Sequence, residues 1–488
     1  MNFYKGINGL KMNNIIVALD QGSSNSRAAL IDAASGKVLA KKFVPVPFEA
    51  SQNTFSYDGA ALFNTQIEAL ENVLNQTDRT KVKAIALSAQ RSTIVLWDKE
   101  TGSALCPVLS WLDGRAAQIS AQNPLSQEVF HQKTGLYNTP YFSAPKIKWC
   151  LENFPHVKKA YEVGRLCVGP VSSFLLWRMS EGKVFACDAT FAQRTLLFNI
   201  NTKTWDTELL ESFGLEKTLL PEIKFSFDDY GSYDGIPIKL CLGDQQSASA
   251  ACGLLREGSA NINYGTGAFL IFNIGQKKTF IDGILTSLSW DSLQKQSDYL
   301  LEAPLITAGS LFTWLQKLGF DFSLQNLKEI AQKAREDVLF LPALGGLGAP
   351  LWNYNLKPVI AGLEVATTKE DIIFAAVRGL NFIMTDIIYY LKRKGYNTSS
   401  LQMSGGLSKD GVLPQLQSNI LQMPLGQQEE KETTLIGAAA VCAKNMGFNT
   451  DVWQTNLTQY TPKISPDDAT LQYTRWRKFF EWAIKQNI

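Results

Sequence analysis

The clearest signal along the chain is the switch between unbroken aliphatic runs and helical spacing. Ile15-Ile16-Val17-Ala18-Leu19 is a continuous run of the kind found in a strand buried on both faces. It ends in Asp20-Gln21-Gly22-Ser23-Ser24-Asn25-Ser26-Arg27, and strands at Ala28–Ile31 and Val38–Phe43 follow as a β-meander. Residues 58–76 place Ala61, Leu62, Ile67, Leu70 and Val73 on one helical face, and Val82–Leu87 is a further buried strand. The same order returns later. An apolar run, Ile238–Leu242, ends in Gly243-Asp244-Gln245-Gln246; small residues follow at helical spacing, and Asn261–Ile274 turns at Tyr264-Gly265-Thr266-Gly267. This recurrence of pattern implies two related domains, with phosphate loops facing across a cleft.

Between and beyond these units, helices are expected at Ser126–Gln132, Lys146–Asn153, Val171–Met179, Gly309–Leu318, Lys369–Lys392, Gly411–Leu421 and Trp476–Gln486. Strands are expected at Arg194–Phe198, Val338–Leu341 and Leu401–Ser404, the last turning at Gly405-Gly406. Thr433 or Thr434 is expected to cap a small-residue helix over Leu435–Lys444.

Composition narrows the function without naming it. At 488 residues the chain exceeds one hydrophobic core. It is 45% hydrophobic and 19% charged with net charge +2, which argues against nucleic acid or a membrane surface as partner. The seven cysteines are scattered with no CxxC spacing, which fits reduced thiols in a cytoplasmic protein. His131 and His156 lie in polar, exposed-looking contexts with no metal-ligand spacing. No uninterrupted apolar run reaches a membrane span, and residues 1–11 read as a disordered tail without a signal-peptide core.

The chemistry concentrates at the strand ends. A carboxylate such as Asp244 can take a hydroxyl proton, and a Gly/Thr turn can offer backbone N–H groups to phosphate. Taken by itself, YGTG reads as a plain hairpin turn and Asp244 as a strand-end polar residue. Trp111 and Tyr141 read as core aromatics, and Arg91 as a surface charge.

The ordered set of pieces ALDQGSSNSRAAL, AQRSTIVLWDKETG, SWLDGR, GLYNTPYFSAPKIKW, DATFAQRTLLFNI, GDQQ, NYGTGAF, LPALGGLGAPLW, SGGLS and ETTLIGAAA resembles the FGGY carbohydrate kinases, and within them the glycerol kinases most closely. The resemblance runs from about Ile15 to about Lys485. It implies an α/β fold of two actin-like or hexokinase-like domains with ribonuclease H-type cores and an interdomain active-site cleft. The acceptor and magnesium domain would span 12–247 and the ATP-binding domain 248–488, with a hinge near 245–255. It implies ATP and Mg²⁺ as cofactors, a small polyol or sugar as partner, and room for a homo-oligomer, dimer or tetramer.

Residue by residue, the resemblance gives Asp20 the magnesium and Asp244 the role of general base. Gly22, Ser23, Ser24 and Arg27 match a first phosphate loop, and Gly265, Thr266 and Gly267 a second. Gly309, Gly405 and Gly406 match positions lining the nucleotide. Gln90, Arg91, Ser92, Trp111, Tyr141, Gln245 and Phe269 match the acceptor pocket. Competing expectations are an actin-superfamily ATPase without catalysis on an acceptor, or a sugar-binding pseudokinase.

The pattern departs from the family at several positions. Glycerol kinases carry glutamate where this chain has Ser92. A charge-assisted hydrogen bond is worth roughly 1.5–3 kcal/mol, so glycerol should bind about one to two orders of magnitude more weakly and a longer acceptor gains room. Asp113 and Arg115 after Trp111 look more like the pentulose-type kinases. Ala366, Arg378 and Ser404 also depart from the family's usual residues.

Overall fold

Ile15–Gln21 is buried at every position and lies inside a mixed six-stranded sheet. Along that sheet the strands run Ser232–Tyr233, Ile236–Gly243, Val82–Ala89, Ile15–Gln21, Asn25–Asp32 and Val38–Pro45. The meander Ile15–Pro45 is antiparallel, whereas Val82–Ala89 and Ile236–Gly243 add in parallel. The computed structural model describes residues 14–51, 53–254, 256–265, 267–290, 298–429, 432–451, 453 and 456–486. The tail 1–11 and Thr266 lie outside the described residues.

By contacts the chain forms two compact units, the first running to Ala251 and the second beginning at Cys252. Helix Thr433–Asn445 belongs to the first unit although it comes late in sequence. A division at residue 247 assigns it to the later half; its packing assigns it to the earlier one. Leu435, Ala438, Ala439 and Cys442 cover Ile16, Ala18, Ala29, Ala84 and Leu240 of the sheet. Its small residues have a steric reason. A Cβ on Gly437 would stand 1.7 Å from the carbonyl oxygen of Ser247, so only glycine lets this helix reach helix Asp244–Ala251.

Helix Gly59–Leu74 packs on the meander through Leu62, Leu70 and Val73, with Asp58 accepting the Ala61 N–H at 2.7 Å as N-cap. A second, five-stranded sheet in this unit contains Phe55–Tyr57, Val108–Leu109, Ile94–Asp98 and Leu166–Pro170. It holds the loops that carry Ser92 and Trp111.

The second unit repeats the arrangement. Its sheet runs Leu285–Leu288, Tyr299–Leu305, Ala268–Asn273, Ser259–Tyr264, Ser400–Ser404, Leu425–Gln428 and Leu457–Tyr460. Again an antiparallel meander is followed by two parallel strands and one antiparallel edge. Strand order and direction do recur, but Ile236–Gly243, read from sequence as opening the repeat, belongs to the first unit's sheet. Helix Lys369–Arg393 is long and apolar enough to cross a membrane, but it lies buried in this unit's core.

Four local expectations are corrected. Arg194–Leu197 is a turn, not a strand: Leu196 has φ 67°, and the Thr195 hydroxyl donates to Ala192 O and accepts the Leu197 N–H. The small-residue helix starts at Thr433 itself, after Glu432, with no side-chain cap. The last helix begins at Pro466, ten residues before Trp476, where Ser465 accepts the Asp468 N–H at 3.1 Å. His131 is buried and stacks on Tyr137, with ring centroids 4.5 Å apart.

Candidate active site

One hairpin turn and two strand ends collect most of the chemistry of the first unit. Asp20 and Arg27 are cross-strand partners in the first hairpin, which brings the guanidinium to 3.5 Å from the carboxylate. The turn closes through the Gly22 N–H donating to Asn25 O at 3.0 Å. Ser23 anchors it by accepting the Tyr57 hydroxyl at its carbonyl, and Ser24 is exposed.

Asp20 is 3% exposed, and its Oδ1 has no hydrogen-bond partner. Burial pushes its carboxyl from the ordinary 3.8 up to about 7; Arg27 pulls it back, and the negative charges of Asp244 and Glu432 push it further up. An orphaned buried carboxylate oxygen, held against its own ionisation, is a group suited to a cation. Among the described residues no cluster of three or more His, Cys, Asp or Glu forms a metal cage. Magnesium held by one carboxylate together with substrate phosphates fits both facts.

Asp244 opens helix Asp244–Ala251, at the positive end of the helix dipole. Its Oδ1 accepts the Gln245 N–H at 2.7 Å and lies 3.4 Å from Nε of Arg91. Arg91 is buried, and its Nη1 donates to Gln246 Oε1 at 3.3 Å. The Gln245 amide oxygen is buried without a partner.

Ser92 follows Arg91 in the left-handed region, φ 64°, and is 1% exposed, with its hydroxyl unpartnered. Trp111 and Tyr141 meet with ring centroids 5.4 Å apart. Gln90 is differently employed. Its Nε2 donates to Gly22 O at 3.3 Å, and its Oε1 accepts the Thr93 hydroxyl at 3.0 Å. Gln90 thus ties the strand end to the first turn.

Asp113 and Arg115 hold each other. Both carboxylate oxygens of Asp113 are held by Arg115, and one also accepts the Phe55 N–H at 2.7 Å, so the pair clasps a loop to the small sheet. Arg378 likewise has a local purpose, donating to Glu336 O at 2.8 Å and lying over Phe374 and Phe382. Ser404 accepts the Asn261 amide at 3.1 Å, a neutral pair across adjacent strands. Ala366 is exposed, and nothing in the structure explains its departure.

The second unit holds a separate cavity of about 530 Å³ lined by Tyr264, Gly265, Gly309, Ser310, Thr313, Trp314, Lys317, Gly406 and Leu407. The expected nucleotide glycines meet there. Gly309 donates its N–H to Gly265 O at 2.9 Å, and Gly265 donates to Gly267 O at 2.8 Å. The two glycines of the 405–406 pair differ. Gly405 has φ 94°, and a Cβ on it would lie 2.3 Å from Tyr264 O, so the fold itself requires glycine. A Cβ on Gly406 would meet nothing within 4 Å. Phe269 stands half-buried on strand Ala268–Asn273 of this unit.

Family comparisons fit this geometry. Residues 15–251 match the FGGY family of carbohydrate kinases, N-terminal domain, and residues 260–446 match its C-terminal domain. The chain belongs to the FGGY family of carbohydrate kinases. It is a phosphotransferase that phosphorylates an alcohol group, and ATP is the phosphoryl donor the family uses. It is 31% identical to a glycerol kinase of Thermus brockianus, covering 96% of this chain and 98% of that one. It is 33% identical to one of Acinetobacter baylyi, covering 97% and 99%. Among solved structures, Plasmodium falciparum glycerol kinase with ADP aligns at TM-score 0.87 and 27% identity, over 96% of this chain and 98% of that one. A xylulose kinase of Lactobacillus acidophilus shares the fold at TM-score 0.84 and 22% identity, over 97% and 99%.

Three residues in the first unit escaped the sequence reading. Glu432 bears on Asp20 electrostatically and pairs with Lys41 at 3.3 Å. Gln246 orients Arg91, and Lys146 is a fully buried lysine beneath the acceptor-side loops. Glu432 opens the run ETTLIGAAA, where a charged residue ahead of two threonines looks like ordinary helix-start chemistry.

Proposed function

We propose that this kinase transfers the γ-phosphoryl group of ATP to a primary hydroxyl of a small polyol or ketose, with Asp244 as general base. The observation that carries this reading is the Arg91–Asp244 pair at a helix N-terminus, in the same unit as Asp20 with its unpartnered Oδ1. Asp244 accepts the hydroxyl proton as the acceptor oxygen bonds to phosphorus and the bond to ADP breaks. The proton ends on the carboxylate and the charge on ADP. Arg91 orients Asp244 through their ion pair. Asp20 would hold magnesium together with the nucleotide's phosphates, where the ion would supply charge neutralisation. The glycine-lined cavity of the second unit takes the nucleotide.

For the acceptor, glycerol or a longer polyol or pentulose fits. The similar glycerol kinases favour glycerol, and Ser92 favours length. Its buried, unpartnered hydroxyl can bond an acceptor hydroxyl but adds no carboxylate. ADP release with Mg·ATP across glycerol, erythritol, xylulose and ribulose tests the reading. Acceptor-dependent release supports it. Equal release with and without every acceptor points to an ATPase instead.

A further inference from the structure

Lys146 is a lysine with no exposure at all, in helix Ser143–Asn153, and no role described above accounts for it. A buried ammonium is costly unless its protons are used. Its Nζ donates to Tyr141 O at 2.9 Å and to Ser92 O at 3.5 Å. Ser143, one helical turn earlier, donates its hydroxyl to the same Ser92 carbonyl at 3.3 Å. The helix therefore grips two separate acceptor-side segments. One is the left-handed Ser92 turn that follows Arg91; the other carries the Tyr141 ring against Trp111.

We propose that Lys146 is a positioning residue for the acceptor, an internal tie that sets the spacing between the Ser92 turn and the Tyr141–Trp111 pair and so selects acceptor length. It touches no acceptor itself. The inference rests on the kinase reading above and adds to it a second determinant of specificity behind the pocket wall.

The tie has a signature that a plain core residue lacks. Burial lowers the Lys146 ammonium to about 7, with the Asp113 carboxylate opposing that and Arg115 adding to it. Those are the charges facing it, together with the Cys150 thiol on its own helix. Asp113 is paired with Arg115, and the Cys150 thiol is pushed up, first by its contact with Cys106 and then by burial, away from neutrality. Below pH 7 the ammonium makes two charge-assisted bonds; above it the amine makes weaker ones.

The test compares wild type with Lys146→Met, of similar length and without donors, measuring KM for the best acceptor, KM for ATP and kcat from pH 6 to 9. In wild type, acceptor KM should rise severalfold above pH 7. Lys146→Met should raise acceptor KM about tenfold at pH 6.5, the scale of losing bonds to buried carbonyls. It should flatten the pH limb, narrow the preference among acceptors of different length, and leave ATP KM within twofold. An unchanged acceptor KM in the variant, or a limb that persists in it, overturns the proposal. If the variant does not fold, the wild-type profile decides alone: a flat acceptor KM from pH 6 to 9 overturns it. Failure of every acceptor to support turnover in wild type would instead sink the kinase reading.

Discussion

Asp20→Asn isolates what a buried carboxylate costs this fold. In the ligand-free chain Asp20 is 3% exposed and its carboxyl is raised from 3.8 to about 7. Between those values the folded chain keeps a proton that the unfolded chain has released. Stability therefore falls as pH rises through that window, by about 1.4 kcal/mol per unit. From pH 5 to pH 7 the loss from this one group is about 3 kcal/mol, and above pH 7 it stops growing. Asparagine keeps the shape without the charge and lacks the slope. At roughly 2 °C per kcal/mol for a unit of this size, the melting midpoint of Asp20→Asn should gain about 6 °C on wild type between pH 5 and pH 8. Thermal unfolding by circular dichroism, in chelator and without nucleotide, reads it directly. The variant should be the more stable protein at pH 8 and inactive as a kinase. A variant that melts below wild type by the same margin at both pH values would refute the reasoning, because the carboxylate would then be serving the fold rather than a cation.

The other predictions separate fold from chemistry in the same way. Ser92→Ala removes a buried hydroxyl that bonds nothing in the free chain. The melting midpoint should stay within about 2 °C, while acceptor KM rises roughly 2- to 12-fold, the worth of one neutral hydrogen bond. Gly405→Ala places a Cβ against Tyr264 O at φ 94° and should destabilise the second unit by about 2 kcal/mol or more. Gly406→Val adds bulk to the open side of the adjacent cavity, so stability should hold while ATP KM rises at least tenfold. Equal loss of stability in both glycine variants would show that the pair is only a turn.

The periodic parts of the fold were legible because burial dictates them. Ile15–Gln21, Val82–Ala89 and Ile236–Gly243 are nearly all aliphatic or small because both faces of the sheet are covered. The duplicated strand order was visible as two meanders with similar turns. Partnership across distance was not. Nothing local says that Thr433–Asn445 packs on helix Asp244–Ala251, since the cue is one glycine at one point of contact. In the candidate site, Asp20, Arg27, Arg91 and Asp244 were singled out by the resemblance; by itself Arg91 read as a surface charge, whereas the structure buries it against Gln246. Glu432 and Lys146 were not, because their contributions come through a neighbour's charge or two backbone carbonyls. The bonding of Asp113 was hidden too: its oxygens are held by Arg115 two residues on and by the distant Phe55 N–H.

Proton removal by Asp244 is the central chemical claim, and the product reports on it most directly. Phosphorus NMR of wild type and Asp244→Asn with Mg·ATP and the best acceptor would follow growth of a phosphomonoester on a primary carbon. The wild type should form that ester in step with ADP. Asp244→Asn should form it at least about 100-fold more slowly, the contribution of a general base, with ATP KM within twofold of wild type. Near-full ester formation by Asp244→Asn, or inorganic phosphate in place of an ester in the wild type, would contradict the account.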